Sequence, residues 1–277
     1  MRNDYVYLNG MIVPSTLATI SPLDIGLLRG YAVFDLLRTI GGEPFLLDEH
    51  LARMRSSAAE LGLALPASDA EIADAISELL ALNGHAEATV RLVLTGGVSP
   101  DGMGFDPATP TFFILTHDLH EPPPSLYEDG GRLLTRQHRR EVPAAKTTNY
   151  ITMLKNRPLT AEKGALDLLY HDGEHVSEAA SASVYFVVGT TILAPRDNVL
   201  HGTIGAYVLD LAQEGYDVVF GDVTLADAFG ADEVFLTSTT RGVVPIVALD
   251  DSPIGDGTVG PIVRDLMSRY RIAAFGG

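Results

Sequence analysis

No cysteine occurs in the 277 residues, which excludes disulfides, thiolate metal sites and cysteine nucleophiles and fits a reducing compartment. No apolar run reaches the roughly 18 residues that a membrane-spanning helix needs. The start, Met1-Arg2-Asn3-Asp4-Tyr5, lacks the apolar stretch of a secretory signal. A cytoplasmic protein without a membrane partner is expected. Positive charge is also short: 19 Lys and Arg face 36 Asp and Glu, for a net charge of −17. Phosphate-backbone binding needs clustered Lys and Arg, so nucleic acid is not an expected partner. An anionic substrate would need its own local group of arginines. Lysine is the scarcest of all, with only Lys146, Lys155 and Lys163 against sixteen arginines. Arg holds its proton too tightly to act as an amine nucleophile, whereas a sheltered Lys can lose one and form a Schiff base. Scarcity alone fits a base composition favouring Arg and a solvated side chain. The segment Pro143-Ala144-Ala145-Lys146-Thr147-Thr148-Asn149-Tyr150 has to be judged by its neighbours.

What is present reads as a folded chain, 46% hydrophobic and 20% charged. Its length suits one large domain or two ordinary ones. Tyr5–Leu8, Asn9-Gly10 and Met11–Val13 predict a hairpin. Val33–Ile40 reads as a strand. Asp48 opens a helix to about Leu61 with Leu51, Met54, Ala58 and Leu61 on one face. Ser68 and Glu71 form a capping box for a second helix carrying Ile72, Ile76, Leu79 and Leu80. Thr89–Thr95 alternates as a strand, with Thr89, Arg91, Val93 and Thr95 on one side. Thr111–Leu119 is mostly apolar and expected to be central. Glu121-Pro122-Pro123-Pro124-Ser125 predicts a stiff extended linker.

Beyond it the pattern predicts a strand at Gly131–Arg136 and a helix from about Asn149 that Pro158 kinks or breaks. A hairpin turns at Asp172-Gly173. Strands at Tyr185–Val188 and Val218–Phe220 flank a helix over Ile204–Gln213. Strands at Val234–Thr237 and Val243–Leu249 precede a last helix over Pro261–Tyr270. The fold class is α+β, with a small domain over residues 1–120, a linker at 121–125 and a larger domain over 126–277 that carries Lys146.

Several metal and phosphate patterns fail. His171 and His175 are separated by the Asp172-Gly173 turn, His117 and His120 lack a third ligand, and Gly96-Gly97 lacks a P-loop lysine. No metal is expected. Gly202-Thr203-Ile204-Gly205 opens a helix, whose free N–H groups can hold an anion. Thr237-Ser238-Thr239-Thr240 ends a strand in four hydroxyls, and Glu178 follows the Asp172-Gly173 hairpin. Each alone is an ordinary cap, turn or solvated edge. With an isolated lysine they form what a phosphorylated pyridine aldehyde needs: an amine, a carboxylate and a phosphate cup.

In this order the motifs resemble the class IV aminotransferases, the pyridoxal-phosphate enzymes of fold type IV. The resemblance runs from Tyr7-Leu8-Asn9-Gly10 through Arg29-Gly30, Glu49-His50-Leu51-Ala52-Arg53-Met54 and Lys146-Thr147-Thr148-Asn149-Tyr150. It continues through Val176-Ser177-Glu178 to Ala231-Asp232-Glu233-Val234-Phe235-Leu236-Thr237-Ser238-Thr239-Thr240. It implies a small α+β sandwich domain and a larger pseudo-barrel α/β domain with pyridoxal 5'-phosphate between them. Lys146 would be the Schiff-base lysine and the base that moves the substrate α-proton. Glu178 would pair with the pyridine nitrogen, and Arg53 would make a two-pronged contact with the phosphate. Thr203 and Ile204 would add backbone N–H groups, Ser238 and Thr239 the other side of the cup. Tyr150 would lie near the phenolic oxygen.

Members often read Gly-Ile-Thr-Arg where this chain has Gly202-Thr203-Ile204-Gly205. Branched-chain members carry Tyr-Gly-Asp-Gly and then Glu where this chain has Arg29-Gly30-Tyr31-Ala32 and then Asp35. The better-known D-amino-acid members place an Arg and a His in the loop that here is Gly96–Met103, without either. Arg29 and Arg91 together resemble a less common group of D-amino-acid transaminases that clamp the α-carboxylate with two arginines. The resemblance thus implies a homodimer, in which the Arg29 loop enters the neighbouring active site. It implies transfer of an amino group between a D-amino acid such as D-alanine or D-glutamate and a 2-oxo acid. Branched-chain L-amino-acid and (R)-amine transaminases are the near alternatives, and aminodeoxychorismate lyase a more distant one.

Overall fold

Asn9 and Gly10 take positive φ (48° and 92°), the geometry of a two-residue hairpin, and join β1 (Tyr5–Leu8) to β2 (Met11–Pro14). The computed structural model describes residues 4–276. Its chain forms two units, Met1–His120 with Ala144–Asn149, and Glu121–Pro143 with Tyr150–Gly277.

In the first unit a short helix α1 (Ile25–Arg29) leads into β3 (Ala32–Ile40) and β4 (Glu43–Pro44). Helices α2 (Leu47–Glu60) and α3 (Asp69–Asn83) follow, then β5 (Ala88–Thr95) and β6 (Thr111–Asp118). The six strands form one antiparallel sheet in the order β2-β1-β6-β5-β3-β4, with β6 inside it as its apolar sequence predicts. The Ser68–Glu71 capping box forms at the start of α3. Leu51, Met54, Ile72, Ile76 and Leu79 of the helices are buried, as are Val90, Leu92, Leu94, Phe112 and Ile114 of the strands. Strand alternation therefore leaves Arg91 on the opposite face.

The segment around Lys146, expected in the second domain, belongs to the first unit. Phe34 N donates to Lys146 O at 2.9 Å and Thr148 N to Ala32 O at 3.0 Å. An antiparallel bridge pairs Val33 with Thr147. Residues 146–148 thus add to the outer edge of β3, a long-range pairing that local pattern does not reveal.

The second unit opens with α4 (Ser125–Glu128), β7 (Gly131–Gln137) and α5 (Ile151–Glu162). Strands β8 (Asp167–His171), β9 (His175–Ala179), β10 (Ser183–Val188) and β11 (Thr191–Pro195) precede α6 (Thr203–Ala212). Next come β12 (Asp217–Gly221), β13 (Val223–Thr224), α7 (Leu225–Phe229) and β14 (Glu233–Ser238). The chain ends in β15 (Gly242–Leu249), β16 (Ser252–Pro253) and α8 (Pro261–Phe275). Ten strands make a mixed sheet ordered β12-β11-β10-β14-β15-β7-β8-β9-β13, with β16 beside β15. Leu133, Leu169, Phe186, Leu236, Val244 and Leu249 are fully buried in its core.

Two local expectations differ from what forms. Pro158 sits inside α5 without ending it. It is exposed, and so is Leu154, whose carbonyl loses its helical donor and can turn to water. The triproline stretch is not extended to its end. Pro124 is helical and its carbonyl, with that of Pro123, starts the turn of α4. No helix among the described residues is long and apolar enough to cross a membrane.

Candidate active site

Lys146 stands opposite Phe34 in the edge pairing of the first unit, so both side chains share one sheet face. Its Nζ lies 4.9 Å from the centre of the Phe34 ring, and its backbone N–H donates to the buried Ser57 of α2 at 3.0 Å. On β5, Arg91 is diagonal to Phe34 on that face, and its guanidinium carbon lies 5.1 Å from the same ring centre. Two basic side chains thus share one buried aromatic ring, an arrangement in which a cation gains on the order of 0.5–1 kcal/mol or more. The planar fork of Arg91 on the lysine's sheet face suits the carboxylate of an amino acid.

Asp35, the next residue of β3, points to the α2 side. Arg53 Nε donates to Asp35 Oδ2 and Arg53 Nη2 to Asp35 Oδ1, both at 2.8 Å. His50, one turn earlier on α2, places Nδ1 2.7 Å from Asp35 Oδ1. Burial by itself would push the Asp35 carboxyl up. The Arg53 cation and the hydrogen bonds from Arg53 and His50 outweigh it and hold the carboxyl well below the usual range. Burial also pushes the His50 ring down, against the pull of Asp35 and with the help of Arg53 and Lys146, so the ring is neutral. A neutral ring donates from Nδ1 to the carboxylate, and its buried Nε2 has no hydrogen-bond partner. Arg53 therefore presents one edge to Asp35 and keeps Nη1 available.

Arg29 ends α1 and is exposed. Its polar contacts are Met103 Sδ at 3.3 Å and the carbonyl of Leu28 at 3.0 Å, rather than Lys146, Phe34 or Arg91. The helix that carries it is anchored by the buried Asp24, which accepts from Gly26 N, Thr95 Oγ1 and Thr111 Oγ1 at 2.7, 2.9 and 2.6 Å.

In the second unit Glu178, on β9, is buried. Its Oε1 accepts from Arg140 Nε at 2.6 Å and its Oε2 from Leu200 N at 3.2 Å. Tyr150 is the residue before α5. Burial pushes the Tyr170 hydroxyl well up, and Asp167, Glu178 and Tyr150 add to it, which places Glu178 and Tyr150 near the same phenol.

The first turn of α6 has no side-chain cap, so the N–H groups of Thr203, Ile204 and Gly205 stay open to an acceptor. A Cβ at Gly205 would run into the Tyr185 hydroxyl and lie 3.2 Å from Thr237 Oγ1, and one at Gly202 would lie 2.5 Å from Ser183 Oγ. The glycines let the helix end settle onto β10 and β14, where Ser183 pairs with Thr237. Thr237 Oγ1 is buried there without a partner. Open amides beside an orphaned hydroxyl fit an anionic group such as a phosphate. Crowding by Tyr185 is also the physical reason for glycine at 205. Ser238 ends β14, and its Oγ accepts from Arg241 Nε at 3.0 Å.

Asp35, His50, Ser57, Arg140 and Arg241 were not among the site residues expected from sequence. Asp35 and His50 had a signal, the first a carboxylate in a mostly apolar strand and the second a place in the Glu49–Met54 motif. The others depend on pairings up to 89 residues apart.

A family model described as amino-transferase class IV matches residues 32–249. A putative branched-chain-amino-acid aminotransferase of Methanocaldococcus jannaschii is 33% identical over 279 residues, 96% of this chain and 95% of that protein. A D-alanine aminotransferase of Listeria monocytogenes is 30% identical, over 94% of this chain and 93% of its own. Among solved structures, the T.th. branched-chain amino acid aminotransferase with pyridoxamine 5'-phosphate superimposes with a TM-score of 0.89 at 27% identity. That match covers all of this chain and 95% of the other. The chain belongs to the class IV aminotransferases of fold type IV, enzymes that work with pyridoxal 5'-phosphate.

Proposed function

We propose that the protein transfers an amino group between a D-amino acid, with D-alanine and D-glutamate preferred, and a 2-oxo acid in a ping-pong cycle. The observation that carries this reading is the shared ring: Lys146 and Arg91 both lie about 5 Å from the centre of Phe34. Bound pyridoxal phosphate supplies the aldehyde that takes up amino groups and a ring that accepts an electron pair. Lys146 anchors it, then carries the proton to and from the substrate α-carbon. Arg53, Thr203, Ile204, Ser238 and Thr239 would hold its phosphate. Glu178, steadied by Arg140, would pair with the ring nitrogen, and Tyr150 would lie near the phenolic oxygen. Arg91 takes the α-carboxylate together with Arg29, which arrives from the neighbouring subunit of a homodimer. Exposure of Leu27 at 70% and Met103 at 68% beside Arg29 supports a covered, dimeric arrangement.

Two experiments test the roles. Borohydride reduction of the cofactor-loaded protein followed by peptide mass mapping should tag Lys146 and leave Lys155 and Lys163 untouched. A tag on either of the latter would refute the assignment. Arg29→Ala and Arg91→Ala should each raise the apparent KM for D-alanine by more than about tenfold, an estimate from the loss of a charged hydrogen bond. If both variants leave it unchanged, there is no arginine clamp. The second reading, a branched-chain L-amino-acid transaminase, is favoured by the Methanocaldococcus relative and the T.th. structure.

A further inference from the structure

Arg241 lies in the three-residue turn between Ser238, which ends β14, and Gly242, which opens β15 and pairs with it. We propose that Arg241 is a positioning residue for phosphate binding, locking the Ser238–Thr239 turn to a buried Asp167–Ser181 anchor. The inference rests on the reading that this turn holds the cofactor phosphate.

The anchor starts at Asp167, the first residue of β8, which is only 4% exposed. Its Oδ1 accepts from Leu168 N at 2.8 Å, and its Oδ2 accepts from Ser181 N at 3.1 Å and Ser181 Oγ at 2.5 Å. The Ser181 hydroxyl has thereby spent its proton and can only accept. It does so from Arg241 Nη2 at 2.9 Å, which also stands 3.9 Å from Asp167 Oδ2. Arg241 Nε in turn donates to Ser238 Oγ at 3.0 Å, and the Arg241 carbonyl accepts from the Tyr127 hydroxyl at 2.9 Å. The chain of donors runs from the turn to the buried carboxylate, with both the backbone and the side chain of Arg241 fixed.

Its chemical consequence is at Ser238. A serine hydroxyl has one proton and two lone pairs, and an arginine can only donate. Arg241 therefore occupies the acceptor side of Ser238 Oγ, and the proton is left to point elsewhere. A phosphate dianion offers only acceptors, so a hydroxyl set as a donor matches it and a freely rotating one does so less well. The neighbouring Thr237 lies against the open end of α6, which brings this turn beside the N–H groups of Thr203 and Ile204. Burial pushes the Asp167 carboxyl up while Arg241 and the Ser181 hydrogen bonds pull it down, and it faces the guanidinium from the far side.

The test compares two probes that differ only in the phosphate, pyridoxal phosphate and pyridoxal, titrated into cofactor-free protein and followed by absorbance. Arg241→Gln should weaken pyridoxal phosphate about tenfold and leave pyridoxal within about twofold. Adding Ser238→Ala to Arg241→Gln should cost little more, because both act through one bond. Arg241→Lys, a milder change, should give the same ordering with a smaller loss. Equal weakening of both probes in either variant would mean a general structural role and overturn the proposal. Unchanged affinity for pyridoxal phosphate in Arg241→Gln, or fully additive losses with Ser238→Ala, would overturn it as well. Failure of the unaltered protein to bind pyridoxal phosphate would instead overturn the reading on which it rests.

Discussion

Asp35 has no exposed surface and carries the charge that holds Arg53 and His50 together. Replacing it by Asn leaves the Arg53 cation half-buried without its anion, and such losses cost about 3 kcal/mol. The gap should be measurable by denaturant unfolding at pH 7. Its pH dependence follows from the sign of the shift. A carboxyl held low in the folded state stabilises above its unfolded value and loses that contribution as pH falls. The gap between the protein and Asp35→Asn should stay constant above about pH 5 and narrow below about pH 4. A gap that does not narrow would argue that Asp35 is not the ionised partner of Arg53. His50 acts in a higher window. Its lowered value means that the unfolded chain takes up a proton that the folded one refuses, so stability declines as pH drops below about 6.5. His50→Gln, which keeps a donor for Asp35 but cannot titrate, should show a shallower decline, the remainder coming from His117 and His138, whose rings burial also pushes down. Equal slopes in both proteins between about pH 5 and 6.5 would contradict it.

At the scale of elements, caps and breakers give separable effects. Ser68→Ala removes the side-chain half of the capping box of α3, the hydroxyl that accepts from Glu71 N, and should lower stability by about 1 kcal/mol, with no change in KM for any substrate. Pro158→Ala restores a donor for the Leu154 carbonyl inside α5 and should raise stability by about 1 kcal/mol; a fall in melting temperature would show that the proline is needed there. These elements were legible because their signals are local. Asn9-Gly10, Ser68 with Glu71, and Asp172-Gly173 each specify their turn or cap within four residues. β11 and α7 went unread, since Thr191–Pro195 and Leu225–Phe229 are short and carry no period of their own. Of the kink or break expected at Pro158, the break did not form, because an exposed carbonyl tolerates losing its donor. Motif order in the sequence singles out Lys146, Glu178, the Gly202–Gly205 turn and the Ser238–Thr239 turn as the proposed site. Their holders were not legible, because Asp35 to Arg53, Arg140 to Glu178 and Arg241 to Ser181 join distant positions by side chain alone.

For the molecule as a whole, residues 144–149 matter most. They leave the second unit to pair with β3 of the first, so the chain places its lysine on the sheet that also carries Arg91. Leu23, Leu27, Leu28, Val98 and Met103 form an exposed apolar group around Arg29, which the proposed homodimer would cover. Leu27→Glu should therefore yield monomer in sedimentation experiments and lose most transaminase activity. A monomeric but fully active variant would remove Arg29 from the neighbouring site. The net charge of −17 repels a carboxylate from the molecule at large, so local cations decide where one binds. The claim that joins these parts is that they serve a D-amino acid. Its most direct measurement mixes cofactor-loaded protein with single amino acids and follows the loss of the cofactor's visible absorption in one half-reaction. Fast loss with D-alanine and D-glutamate and slow loss with L-leucine is the predicted result; fast loss with L-leucine and none with D-alanine would contradict it.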